Sequence, residues 1–115
     1  MRKIEQQMIA AINNSQNWQS ANTSVIFNEE TNTSVVYLHG NKIAEIDDNS
    51  MTIFDGGYQS KTTKSRLNVL IDVFCIRGEG VFQKNFNWFV RRYVGDVNGV
   101  DMFITKEFTN GYVFA

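Results

Sequence analysis

The segment GVFQKNFNWFVRRY, residues 80–93, interleaves aromatic and cationic side chains at the two-residue spacing of a β-strand. In that alternation Asn87, Phe89, Arg91 and Tyr93 share one face, while Phe86, Trp88, Val90, Arg92 and Val94 share the other. The first set has the chemistry of a single-stranded nucleic-acid platform, since aromatic rings stack on bases and cationic groups meet phosphates. With Lys64 and Arg66 brought alongside by folding, and Arg92 at the margin, the candidate binding residues are Lys64, Arg66, Phe89, Arg91, Arg92 and Tyr93. The second set reads as core. A competing arrangement puts Phe89 and Tyr93 under a helix and pairs the arginines with acids of the first half. The net charge of −1 favours that arrangement over a nucleic-acid surface.

Other residues with chemical potential lack partners. His39 is the single histidine, able in principle to act as a general base, but no nucleophile or carboxylate adjoins it in sequence. Cys75 is the one cysteine, which excludes an internal disulfide and a zinc cluster of ordinary spacing. It lies between Phe74 and Ile76 and reads as a small buried side chain. Asp47, Asp48 and Asp55 offer oxygen ligands, but their spacing matches no calcium loop, and aspartate is also what turns require. Gly56-Gly57 stands outside any phosphate-binding pattern. No catalytic set, metal site or cofactor site is expected.

These residues must be positioned by a single domain, because 115 residues support one hydrophobic core. The chain contains no proline, so its turns rely on Gly, Asn and Asp. Residues 1–60 carry three basic against seven acidic residues, whereas residues 61–92 carry seven basic against two acidic. Ile4, Met8, Ala11 and Ile12 recur at helical spacing opposite Glu5, Gln6 and Gln7, which predicts a short helix over 3–14. The stretch to Ser24 reads as a loop anchored by Trp18. Period two then predicts strands at 23–27, 33–39, 42–47 and 50–54, with a tight turn of the Gly-Asn kind at Gly40-Asn41. The strand at 33–39 is apolar on both parities, as expected of a central strand covered on both faces.

Ser60 or Thr62 can cap a helix over 63–76 whose buried stripe is Leu67, Leu70, Ile71 and Phe74, with Gly78 as its stop after Arg77. Residues 80–84 and 87–94 follow as strands, readable as one long strand bent near Asn85. A strand at 101–108 and a short final strand YVF complete the order α-ββββ-α-βββ. The fold class is therefore α+β, an antiparallel sheet of about six to seven strands with two helices. The charged N-terminal segment does not read as a signal peptide, and no apolar run reaches membrane-spanning length. A reducing, cytoplasmic setting is expected.

Three stretches, YLHGNKIAEID (37–47), TTKSRLNVLI (62–71) and VFQKNFNWFV (81–90), resemble a family of small accessory proteins encoded by tailed bacteriophages. The resemblance implies phage origin and a place in the host cytoplasm. It supplies no activity, substrate or catalytic residue. The functional expectation is a non-enzymatic protein that binds a host or phage protein during infection. The alternative is a single-stranded nucleic-acid binder using the basic-aromatic face, and a third is an enzyme or a small-ligand sponge with a site built from Asp, Tyr and His39. A homodimer through an edge strand is compatible with the first, and no membrane partner is expected.

Overall fold

The computed structural model describes residues 1–115. Its elements are α1 (Lys3–Asn13), β1 (Trp18–Ser20), β2 (Thr23–Asn28), β3 (Thr33–Leu38), β4 (Asn41–Ile46), β5 (Met51–Ile53), α2 (Lys61–Phe74), β6 (Gly80–Lys84), β7 (Asn87–Val97), β8 (Val100–Glu107) and β9 (Tyr112–Phe114). The expected α+β class and antiparallel pairing hold, with two corrections. Residues 18–20 form a strand rather than a loop, and the strands divide into two sheets. One sheet has the order β1-β2-β3-β4-β5-β9, and the other has the order β6-β7-β8. Residues 80–97 are a hairpin, not one bent strand: Lys84 pairs with Asn87 across a two-residue turn. In that turn Asn85 and Phe86 both have left-handed φ, 51° and 67°. The β3–β4 turn likewise centres on His39-Gly40, with φ of 52° and 77°, one residue earlier than the sequence suggests. Left-handed turns of this kind match the twist of paired strands.

One face of the larger sheet is buried. Val25, Val36, Ala44 and Ile53 lie in a single cross-strand row and are all fully buried. Helix α1 contacts β2, and α2 contacts β4 and β5 on one side and β6 on the other. The helix α2 starts two residues earlier than expected, capped by Ser60, whose hydroxyl accepts the Thr63 N–H at 3.0 Å. It ends at Phe74, leaving Arg77 and Gly78 outside it. Leu67, Leu70 and Ile71 are buried as expected. The opposite sheet face carries Ser24, Ile26, Val35, Tyr37, Lys42 and Glu45, none of them fully buried. Strand β3 is thus covered on one face only; its second apolar parity is half-exposed.

The two helices are joined through a buried polar centre that hydrophobic periodicity cannot reveal. Glu5 is 1% exposed and Arg66 is 3% exposed. Their ion pair closes at 2.9 Å. Arg66 also donates to Thr23 Oγ1 at 3.0 Å and to Asn22 Oδ1 at 3.3 Å. Glu5 further accepts from the Ser65 hydroxyl at 2.7 Å and from the Arg2 N–H at 3.2 Å. Burial pushes the Glu5 carboxyl up. Hydrogen bonds from Ser65, Arg2 and Arg66, with the Arg66 charge, outweigh it and hold the carboxyl below its ordinary value.

Two outcomes are expected. Arg66→Ala or Glu5→Ala should cost about 3–5 kcal/mol, because each strands a buried charge, while Glu5→Met/Arg66→Met should cost far less. Urea denaturation of the three variants measures this, and equal losses would contradict the assignment. The depressed Glu5 value stabilises the fold fully above the unfolded pKa, about 4.3. That contribution is lost as pH falls through the lower folded value. The urea midpoint of Glu5→Gln should therefore vary less with pH below about 4.3 than that of the parent chain.

Candidate functional site

The smaller sheet carries most of the candidate residues. It is fastened to the helix layer by side chains that act as extra strand residues. Asn68 of α2 accepts the Val81 N–H at 2.8 Å and donates to the Val81 carbonyl at 2.9 Å, closing the free edge of β6. Glu79, 8% exposed, accepts the Ile76 N–H and the Tyr93 N–H, each at 3.0 Å. The second of these bonds lands beside the register shift between Tyr93 and Gly95. Neither Asn68 nor Glu79 carries a pattern that sequence reading could have flagged.

On the inner face Val81, Trp88 and Val90 join the main core, and Trp88 meets Phe108 edge-to-face at 5.4 Å. On the outer face Phe82 stacks on Phe89 at 5.6 Å, and Tyr93 meets Phe103 edge-on at 5.7 Å. The Arg91 guanidinium lies 4.3 Å from the centre of the Phe103 ring, a cation–π contact. A shallow hollow of about 420 Å³ adjoins these rings, lined by Gly78, Gly80, Val81, Phe82, Arg91 and Thr105. Phe103 sits so close to Gly78 that a Cβ there would fall 2.5 Å from the ring, and Gly78 has φ +97°.

The candidate set therefore divides. Phe89, Arg91 and Tyr93 share one face as expected, packed on rings of their own sheet rather than under a helix. Arg92 is on the inner face, half-buried and opposite Ile104. Lys64 projects from α2 toward Gln83, with Nζ 3.4 Å from Oε1. Arg66 leaves the set, since its guanidinium is buried against Glu5, Thr23 and Asn22. Two residues read as core are instead exposed: Phe86 at the hairpin tip, 92%, and Val94, 52%.

The outer face is of mixed charge. Glu107 stands opposite Phe89, and Asp96 stands opposite Asp101. Desolvation, then the carboxylates of Asp101 and Asp96, push the Tyr93 hydroxyl above its ordinary value. The remaining residues singled out above are accounted for locally. His39 is exposed at its turn. Asp47 accepts the Asn49 and Ser50 N–H groups, and Asp55 accepts that of Gly57. Cys75 is half-buried, and burial followed by the Glu79 charge pushes its thiol up to about 12.

Beyond the body, β7 and β8 continue as a two-stranded arm. The face that buries Val81, Trp88 and Val90 runs on along it through Ile104, Met102, Val100, Val94 and Val97. These five are 40%, 44%, 62%, 52% and 59% exposed. Strand β8 is an edge strand, and seven of its eight residues are exposed.

Fold and site together define a small two-sheet α+β protein whose distinctive surface is a projecting strand pair beside an aromatic sheet face of mixed charge. The family model described as Kyanoviridae Gp96 protein matches residues 1–115, and the chain belongs to that family of cyanophage proteins. The resemblance to bacteriophage proteins is thereby borne out. No curated protein and no solved structure matches the chain. No helix is long and apolar enough to cross a membrane.

Gly78→Ala should destabilise the protein by about 1–3 kcal/mol, through its left-handed backbone and the displaced Phe103 ring. The Arg91 side-chain resonances should lose the upfield shift imposed by that ring. A variant of unchanged stability and unchanged Arg91 shifts would show that Phe103 is not seated on Gly78.

Proposed function

We propose that this chain is a small non-enzymatic binding protein that engages a host or phage protein in the cytoplasm of the infected cell. The β7–β8 arm is its contact surface. The observation that carries this reading is the apolar stripe of Val94, Val97, Val100, Met102 and Ile104, which continues a core face past the point where anything covers it. Contiguous exposed apolar surface of this kind marks interaction sites. The outer edge of β8 adds a row of backbone donors and acceptors that a partner strand can complete. Recognition then combines backbone pairing along β8 with burial of alternate side chains on one face.

The nucleic-acid reading is supported by Phe82, Phe89, Arg91 and Lys84 on the outer face, and weakened by the interspersed Glu107, Asp96 and Asp101. Arg91 is also already engaged over Phe103. A second copy of the chain is the other competitor for the β8 edge.

The test is affinity capture from infected-host lysate with the parent chain and with Met102→Lys/Ile104→Lys. Both side chains are substantially exposed, so the variant should fold. A nuclease-resistant partner captured by the parent and lost in the variant is the expected result. Capture unaffected by the substitutions would exclude the arm. A labelled oligonucleotide retarded at low salt and released steeply by added salt would favour the nucleic-acid reading instead. Light scattering that shows a dimer dissociated by the same substitutions would assign the edge to a second copy.

A further inference from the structure

At the end of the larger sheet away from His39, a cleft of about 550 Å³ opens between the ends of the two helices. Its floor is one cross-strand row, Phe27–Ser34–Ile46–Met51–Phe114, running through β2, β3, β4, β5 and β9. Four of these side chains are large and apolar. Ser34 between them is small and polar. Ser34 is 4% exposed and borders the cleft, yet its hydroxyl makes no hydrogen bond within the protein. Its oxygen is not among the sealed, unpartnered polar atoms, of which Tyr112 Oη is the one, so it opens onto the space of the cleft. There the polar group of a bound molecule can pair with it in place of water.

The electrostatics of the cleft have one sign. No lysine, arginine or histidine lines it, whereas Asp47, Asp48 and Glu79 do. Hydrogen bonds from the Asn49 and then the Ser50 backbone hold Asp47 below the ordinary carboxyl value, so it stays anionic at neutral pH. The walls are the carboxyl ends of both helices, through Ile12 and Asn13 of α1 and Phe74 of α2. Carboxyl ends carry partial negative charge. Neither helix has a basic residue in its last turn to compensate it. The Cys75 thiol, also in the wall, is neutral at physiological pH and adds no competing nucleophile.

We propose that this cleft binds a small organic cation, an amine with an apolar body. The body lies along Ile46, Met51 and Phe114, Ser34 hydrogen-bonds a polar group of the ligand, and the ammonium sits at the Asp48 rim between the helix ends. The volume falls within the range of small-molecule sites, roughly 300–1,000 Å³. The site is distinct from the β7–β8 arm, so neither reading depends on the other.

Titration of the full chain with 2-phenylethylamine, 2-phenylethanol and 3-phenylpropionate, followed by NMR, tests this. The expected order of affinity is amine, then alcohol, then carboxylate, with the amine favoured over the alcohol by about fivefold or more. Saturable shifts should appear at Ser34, Met51, Phe74 and Phe114. Asp48→Asn, at an exposed rim position, should erase most of that preference and leave alcohol binding unchanged. Ser34→Ala should weaken amine and alcohol alike. Absence of saturable shifts with all three probes would overturn the proposal, as would a carboxylate that binds as well as the amine. Tighter binding of the dipeptide acetyl-Phe-Lys-amide than of the amine would assign the cleft to a basic protein segment and overturn the small-molecule reading.

Discussion

The buried contact between Glu5 and Arg66 is the constraint on which the helix layer depends. It ties α1 to α2, and through Thr23 and Asn22 it ties both to the first hairpin of the sheet. Desolvating two charges is costly, so such a pair is weak evidence of net stabilisation. What it supplies is position. An apolar contact between two helices tolerates sliding, whereas a guanidinium that must meet Glu5, Thr23 and Asn22 together tolerates little. Asn22 extends the same centre by accepting the His39 N–H on its carbonyl at 2.8 Å, which links the β1–β2 turn to the β3–β4 turn. One end of the sheet is thereby fixed under the helices, and the other end, where the helices stop, is left open as the cleft.

The smaller sheet is held by a different logic. Three strands alone have little core of their own, and only Val81, Trp88 and Val90 are fully buried apolar residues within them. Asn68 and Glu79 complete the attachment by supplying side-chain partners to backbone groups at the edge of β6 and at the irregularity in β7. Both clamps act at the base of the sheet. None acts on the arm, whose last residues pair only with each other across the Asn98-Gly99 turn. The base of the sheet is thus tied to the helix layer, and the tip is held by its own strand pairing alone.

Much of the fold was legible because period two and period 3.6 report burial on one face, and both sheets and helices here are half-buried. A helix over 63–76, two residues off the observed 61–74 at each end, and the meander from residue 23 onward follow from that alone, while Ser60 and Thr62 both remained open as its cap. The failures have particular causes. Glu5 and Arg66 were assigned to solvent because periodicity treats charge as exposed, and their partner lies some sixty residues away in sequence. Phe86 and Val94 were assigned to the core because alternation extrapolates through a turn and past the end of the core without detecting either. Hydrophobic pattern could not separate one sheet from two, since the division is made by α2 lying between them. The shared face of Phe89, Arg91 and Tyr93 was legible, because strand alternation determines it directly. Whether those side chains are free was not, because Arg91 is occupied by Phe103 on a neighbouring strand.

The arm raises a question of economy that bears on its role. Its apolar side chains contribute less to folding than core residues do, since they are 40–62% exposed. In an edge strand they carry a standing risk of aggregation. Folding alone would favour polar residues at these positions or a shorter hairpin. The local sequence instead keeps the apolar stripe and surrounds it with charge: Asp96 and Asp101 face each other on the opposite side, and Lys106 and Glu107 close β8. Two carboxylates directly opposed across a strand pair destabilise that pair. They also discourage indiscriminate pairing at the tip. An apolar face left exposed, with like charges set on its reverse, is not accounted for by the packing of the chain's own core.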